Sequence, residues 1–241
     1  MRLAIPRLPR PFDGMTIAQI SDLHAGDFTN AERLRAVVDT VLGLEPDLVV
    51  VTGDFITHLR SDGADIVRRE LSRLRGPLGI LGVLGNHDYW SSALVVGRAV
   101  RAAGLNLMRN SHEVIARDGE RIYIVGVDDV WERQNDLGKA MQGVPVNACA
   151  FLLAHEPDFA DEACVDRRLV LQLSGHSHGG QVRLPGLGAP HLPNMGRKYP
   201  EGLRKVGQMW LYTNRGIGVV FPPLRVNCPP EVTLFELAPE A

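Results

Sequence analysis

The chain has 241 residues, 45% hydrophobic and 22% charged, with a formal net charge of −2. That length can bury a sizeable core and is expected to form one domain over residues 1–241, while the near-neutral charge excludes a general attraction to nucleic acid. The three cysteines, Cys149, Cys164 and Cys228, are odd in number and form no CxxC pair, which excludes both a disulfide framework and a thiolate zinc site.

The first fourteen residues carry Arg2, Arg7 and Arg10 among Pro6, Pro9 and Pro11, with no apolar run of the kind a signal peptide needs. No later stretch reaches the roughly 18 apolar residues of a membrane span. The expected location is cytoplasmic or peripheral to a membrane. Met15 to Ser21 reads as a strand ending at Asp22-Leu23-His24. Asn30 is suited to cap a helix through Leu44, with Leu34, Val37, Val38, Val41 and Leu42 at helical spacing. Asp47 to Thr52 is an apolar strand suited to a sheet buried on both faces, and it stops at Gly53-Asp54. A helix is expected from Asp62 to Arg75, with Asp65 completing a capping-box-like spacing and Gly76-Pro77 ending it. Ile80 to Leu84 forms a third strand, which runs into Gly85-Asn86-His87-Asp88, and Ser91 or Ser92 caps a helix through Ala103. Three successive units thus place polar residues just after a strand, where open α/β sheets hold their sites.

Beyond this point Glu113 to Arg117 and Arg121 to Val127 flank Asp118-Gly119, a hairpin signature. A helical stretch lies near Gln134 to Met141. Ala148 to Leu153 delivers His155-Glu156-Pro157, and Arg168 to Leu173 delivers Gly175-His176-Ser177-His178-Gly179-Gly180. A Gly/Pro-rich loop then leads to strands near Met209 to Thr213, Gly218 to Phe221 and Glu231 to Glu236. The alternation implies a mixed-sheet α/β sandwich.

Five strand ends supply Asp22, His24, Asp54, Asn86, His87, His155, His176 and His178. Carboxylate, carboxamide and imidazole donors without thiolate suit two divalent transition-metal ions, Mn foremost, with Fe, Zn or Co as further candidates. Two ions at about 3.5 to 4 Å need an anionic ligand between them. In their order, Asp-x-His, Gly-Asp, Gly-Asn-His-Asp, a lone His and Gly-His-x-His resemble the calcineurin-like metallophosphoesterases over nearly the whole chain. The resemblance implies a four-layer sandwich of two mixed β-sheets flanked by helices. It assigns Asp22, His24 and His178 to one ion and Asn86, His155 and His176 to the other, with Asp54 bridging. It leaves His87 off the metals, beside the substrate phosphate, and implies in-line attack by a hydroxide held between the ions.

The tail segments GHSHGGQVRLP, GRKYPEGL, YTNRGIG and NCPPEVTLFEL further resemble the bacterial YaeI/YkuE-type phosphodiesterases. This implies a phosphodiester substrate, small or lipid-linked, bound by Asn86 and His87, and the planar fork of Arg215 is suited to join them at the phosphate. The alternatives are a phosphomonoesterase, a nucleotide-sugar or lipid pyrophosphatase of the UDP-diacylglucosamine type, or a metal-binding scaffold of the same fold. The sequence Gly53-Asp54-Phe55-Ile56-Thr57 lacks the Asp-Arg-Gly of protein phosphatases. Asp88 is suited either to orient His87 or to cap the helix after it, and Arg215 either to hold phosphate or to form a salt bridge. His58, His112 and His191 read as solvated loop residues. The 183–204 loop mixes Leu184, Leu187, Leu192 and Met195 with Arg197, Lys198 and Arg204, which suits peripheral contact with an anionic membrane.

Overall fold

A computed structural model describes residues 1–26, 28–58 and 62–240. In chain order, β1 (Arg2–Ile5) and β2 (Thr16–Ile20) precede α1 (Ala31–Gly43), β3 (Leu48–Thr52), α2 (Gly63–Leu71), β4 (Ile80–Val83), α3 (Asn86–Ser91), α4 (Ala93–Ala102) and β5 (Asn106–Leu107). The second half runs β6 (Ser111–Arg117), β7 (Glu120–Gly126), α5 (Leu137–Ala140), β8 (Ala150–Leu153), α6 (Ala160–Ala163), β9 (Leu169–Ser174), β10 (Gly202–Val206), β11 (Met209–Thr213) and β12 (Thr233–Pro239).

These strands form two six-stranded sheets, ordered β1-β12-β2-β3-β4-β5 and β10-β11-β9-β8-β7-β6. Both are mixed. In the first, β12 runs antiparallel to β2 while β2, β3, β4 and β5 are parallel. In the second, β7, β8, β9 and β11 are parallel and the outer strands β6 and β10 antiparallel to their neighbours. Side-chain alternation explains why β3 is apolar throughout. Leu48 and Val50 point into the layer between the sheets with Ile17, Ile124 and Phe151, whereas Val49 and Val51 face α1, α2 and α4 with Val38, Val67 and Val100. The other face of the second sheet packs on α5 and α6 through Val125, Leu152, Ala140 and Ala160. The result is the expected four-layer sandwich.

Several boundaries follow local chemistry. Asn30 caps α1, its side chain accepting from Arg33 N at 2.9 Å, and Ser92 caps α4. Asp62 does not cap α2 with its side chain, and α2 stops at Leu71, before the expected Arg75. Gly218 to Phe221 forms no strand. Its backbone N–H groups turn to the ends of other elements, Gly218 to Asp22 O at 2.7 Å and Val220 to Gln181 Oε1 at 2.7 Å. Three unexpected strands, β1, β5 and β10, sit at the sheet edges, each with one partner. Among the described residues, no helix is long and apolar enough to cross a membrane.

Candidate metal centre

The site lies where β2, β3, β4, β8 and β9 end. There the chain must turn within one or two residues, and it does so in strained backbone. Asp22, Asp54, His24, His176 and His178 all take left-handed conformations, with φ between 45° and 70°. Non-glycine residues adopt that region rarely, and such strain collects at functional sites. Two glycines make room for the donors. A Cβ on Gly175 would overlap Ser21 Oγ and Asp22 Oδ2, and one on Gly85 would come within 2.7 Å of His155 Nε2.

One group is assembled as a metal-binding cluster: the donor atoms of Asp22, His24, Asp54 and His178 lie within 4.8 Å of one another. His24 Nε2 and His178 Nε2 face each other at 3.0 Å, and Asp54 Oδ2 lies 3.5 Å from the former. On its other side Asp54 Oδ2 is 3.2 Å from His155 Nε2, whose ring centroid is 4.9 Å from that of His176. His155 Nε2 and Asn86 Oδ1 are buried and have no hydrogen-bond partner in the protein. Orphaned lone pairs of this kind are what a metal ion would satisfy. The donor set of Asp22, His24, Asp54 and His178 therefore fits a metal ion, with the orphaned His155 and Asn86 on the other side of Asp54.

Imidazole orientation is fixed from behind. His155 Nδ1 donates to Thr52 O at 2.7 Å, which aims Nε2 into the site, and His24 Nδ1 meets Thr57 Oγ1 at 3.2 Å. His176 Nε2 bonds Asn194 O at 2.7 Å, leaving its lone pair on Nδ1. Burial lowers His24 to about 3 and holds His176 and, with the neighbouring His24 and Arg225, His178 below their ordinary values, so these rings are neutral and ready to ligate. Burial opposes the charge on Asp54, but the neighbouring His155, by its charge and its contact, outweighs it and holds the carboxyl well below its ordinary value. Burial, aided by the Asp54 charge, pushes Asp22 up to about 7.

The calcineurin-like phosphoesterase family profile matches residues 15–180, a span that holds every one of these donors. The chain belongs to this family. It is similar to the uncharacterized metallophosphoesterase YkuE of Bacillus subtilis, 36% identical over 95% of this chain and 81% of YkuE. It is also similar to phosphodiesterase YaeI of Escherichia coli, 32% identical over 90% of this chain and 80% of YaeI. A third relative is the UDP-2,3-diacylglucosamine pyrophosphatase LpxG of Chlamydia muridarum, 28% identical over 95% of this chain and 86% of that one.

In this metallophosphoesterase the metal cluster opens into a cavity of about 380 Å³, lined in part by Asp54, Asn86, His87, His176 and His178. His87 N donates to Asp54 Oδ1 at 2.9 Å, and its ring packs edge-on against His24. Asp88 does not reach the His87 ring. Its Oδ1 accepts from Phe55 N at 2.9 Å and Ile56 N at 3.2 Å, and Oδ2 from Gly85 N at 3.0 Å, so it ties the Asp54 turn to the start of α3. Arg215 lies outside this cavity. Its Nε pairs with Glu231 Oε2 at 2.5 Å, and both residues line a separate depression with Tyr212. The half-buried carboxylate of Glu231 captures the guanidinium, which is the salt-bridge alternative. His191 is exposed yet lines the cavity mouth, His112 Nδ1 bonds Ala140 O at 2.8 Å, and His58 is exposed.

Sequence reasoning missed a set of residues that shape the site from a distance. Glu156, fully buried, accepts from Val130 N and Trp131 N, and Asp158 accepts from the backbone of Arg197, Lys198 and Tyr199. The carboxylates next to His155 thereby fix both loops beside His176. Arg225 donates to the carbonyls of Arg215, Gly216 and Gly218. Only the adjacency of Glu156 and Asp158 to His155 could have signalled any of this.

Proposed function

We propose that this chain is a phosphodiesterase working with two divalent transition-metal ions, Mn foremost. Asp22, His24 and His178 hold one ion, Asn86, His155 and His176 the other, and Asp54 stands between. The position of Asp54 Oδ2, 3.2 Å from His155 and 3.5 Å from His24, supports the bridging role. When bound, such ions activate the attacking water and neutralise phosphoryl charge. The protein's own part is to hold the donors, to bring His87 and Asn86 to the phosphate, and to place the His87 ring where it can donate a proton to the departing oxygen.

One observation carries the diester reading. Apart from Asp54, no Asp, Glu, Lys or Arg among the described residues lines the cavity, which is completed by Trp90, Trp131, Val182, Val220, Phe221 and prolines. A diester brings one negative charge and two uncharged substituents, which this lining suits. A diphosphate brings further charge that would need a cation such as arginine, and Arg215 is engaged elsewhere. A lipid-linked substrate, as the name of LpxG indicates for that relative, is the second reading. It is supported by the exposed apolar side chains of Leu187 (81% exposed) and Phe221 (85%) in the 183–204 loop and at the cavity mouth, which suit peripheral contact with a membrane.

Turnover of bis(p-nitrophenyl) phosphate is expected to exceed that of p-nitrophenyl phosphate, and the reverse order would sink the diester assignment. His87→Ala is expected to lose about 10²-fold or more in kcat with metal content retained. An unchanged rate would remove His87 from the chemistry.

A further inference from the structure

Trp90 is 53% exposed, yet its ring is fixed. The indole N–H donates to Glu132 Oε1 at 2.8 Å, the His87 ring lies 4.7 Å from it, and Trp131 meets it edge-on at 5.5 Å. Trp131 in turn stands edge-on to His176 at 5.4 Å. The loop that carries it is pinned by three backbone N–H bonds to buried carboxylates: Val130 and Trp131 donate to Glu156 and Glu132 donates to Asp129. Neither indole belongs to the apolar clusters of the core. Large aromatic rings left in water but held rigid lose little entropy on binding and offer a flat apolar face, the character of a recognition platform.

Both indoles line the cavity that holds His87, with Phe221 and Pro222 also at its wall. Since His87 is assigned to the leaving-group side, whatever is bonded to the departing oxygen is carried onto Trp90. We propose that Trp90 and Trp131 form a subsite for a flat, uncharged ring on the leaving group of the diester. This rests on the phosphodiesterase reading and names its substrate class. The rigid, flat indole faces suit a ring rather than a flexible acyl chain, which would be served by an aliphatic groove.

The test reads binding to the metal-loaded protein. Phenylphosphonate and hexylphosphonate carry the same anionic group on a flat ring and a flexible chain. Their affinities are measured by quenching of tryptophan fluorescence in a Trp210→Phe background, since Trp210 is committed to Ala4 O on β1. Phenylphosphonate is expected to bind about fivefold tighter, the worth of one aromatic stacking contact. Trp90→Leu, which keeps apolar bulk without a ring, brings the two ligands to within about twofold, and Trp90→Phe keeps the preference. Equal or tighter binding of hexylphosphonate would show an acyl groove instead. Failure of both ligands to bind, or a preference that survives Trp90→Leu, also overturns the subsite. Because turnover is not the readout, a protein that hydrolyses no diester would refute the reaction while this comparison still decides the subsite.

Discussion

Asp88→Asn tests whether the Asp54 turn and the Asn86-His87 helix start are held as one unit. Asp88 is fully buried, and its two oxygens accept three backbone N–H groups, from Phe55, Ile56 and Gly85. Burial and the Asp54 charge push its carboxyl up to about 8. The backbone N–H groups of Gly85 and Ile56 oppose that rise by favouring the ionised form, so the comparison belongs above about pH 8, where the carboxylate is charged. In the amide, the oxygen can keep Phe55 and Ile56, but the NH2 group then faces the Gly85 N–H, donor against donor. An unsatisfied buried N–H costs about 1–3 kcal/mol, and losing charge assistance on the remaining bonds adds about 1 kcal/mol, so a loss of about 2–4 kcal/mol is expected. For a domain of this size that lowers Tm by about 5–15 °C in scanning calorimetry. A displacement of order 1 Å at His87 and Asn86 costs roughly 10²-fold in kcat. If Asp88→Asn melts within a degree of the parent and turns over at the parental rate, the three N–H bonds do not organise the site.

Chelation should destabilise the protein: ligand at about 100 times its Kd contributes about 2.7 kcal/mol, or roughly 5–10 °C in Tm, restored by adding back Mn or Zn, and an unchanged melting curve would refute the metal site. Gly175→Ala forces a Cβ against Ser21 and Asp22, so elemental analysis should find metal lost along with about 2 kcal/mol or more of stability. Glu70 is buried between Arg35 (two bonds at 3.1 Å) and Arg69 (2.9 Å), and the Arg35 hydrogen bonds lower its carboxyl below the ordinary value of 4.5. A depressed carboxyl stabilises the fold above its unfolded value and ceases to do so as pH falls through the folded one. Glu70→Gln should therefore cost about 1 kcal/mol at neutral pH, a modest figure because the arginines are half exposed, and the gap to the parent in thermal melts should narrow below about pH 4.5.

What the sequence disclosed was whatever depends on neighbours in the chain. The apolar run Leu48–Thr52, the Asn30 cap and the Asp118-Gly119 turn each form from a few contiguous residues. The donors were legible because each follows a strand, and the order of their motifs is what carried the family resemblance. The edge strands β1, β5 and β10 were not. β1 lies in a proline-rich segment and pairs with β12, more than 230 residues away, so its strand character is created by the partner. Gly218 to Phe221 has β-forming residues, but its N–H groups are taken by the turn at Asp22 and by Gln181, a tertiary override of propensity. Arg215 was ambiguous because Glu231, which decides its partner, lies sixteen residues on. The indole platform was hidden for a like reason: Trp90, Trp131 and His176 belong to three separate units of the chain.

The strained turns and the orphaned donors have a common origin in how the two sheets meet. Asp22, His24, Asp54 and Asn86 come from the first sheet, and His155, His176 and His178 from the second. They are linked across the seam before any metal binds. His155 Nδ1 bonds Thr52 O at the end of β3, His176 N donates to both Asp22 oxygens, and Gln19 Nε2 in β2 reaches Ser174 O in β9. Site geometry is thus a property of sheet packing, and a left-handed turn such as His176 can persist only because bonds from the opposite sheet over-determine it. The same logic places the specificity elements. Loops outside the sheets carry Trp131 and Phe221, while the buried carboxylate of Glu156 and the partly buried one of Asp158 follow His155 and hold the loops around it in register with the metal donors.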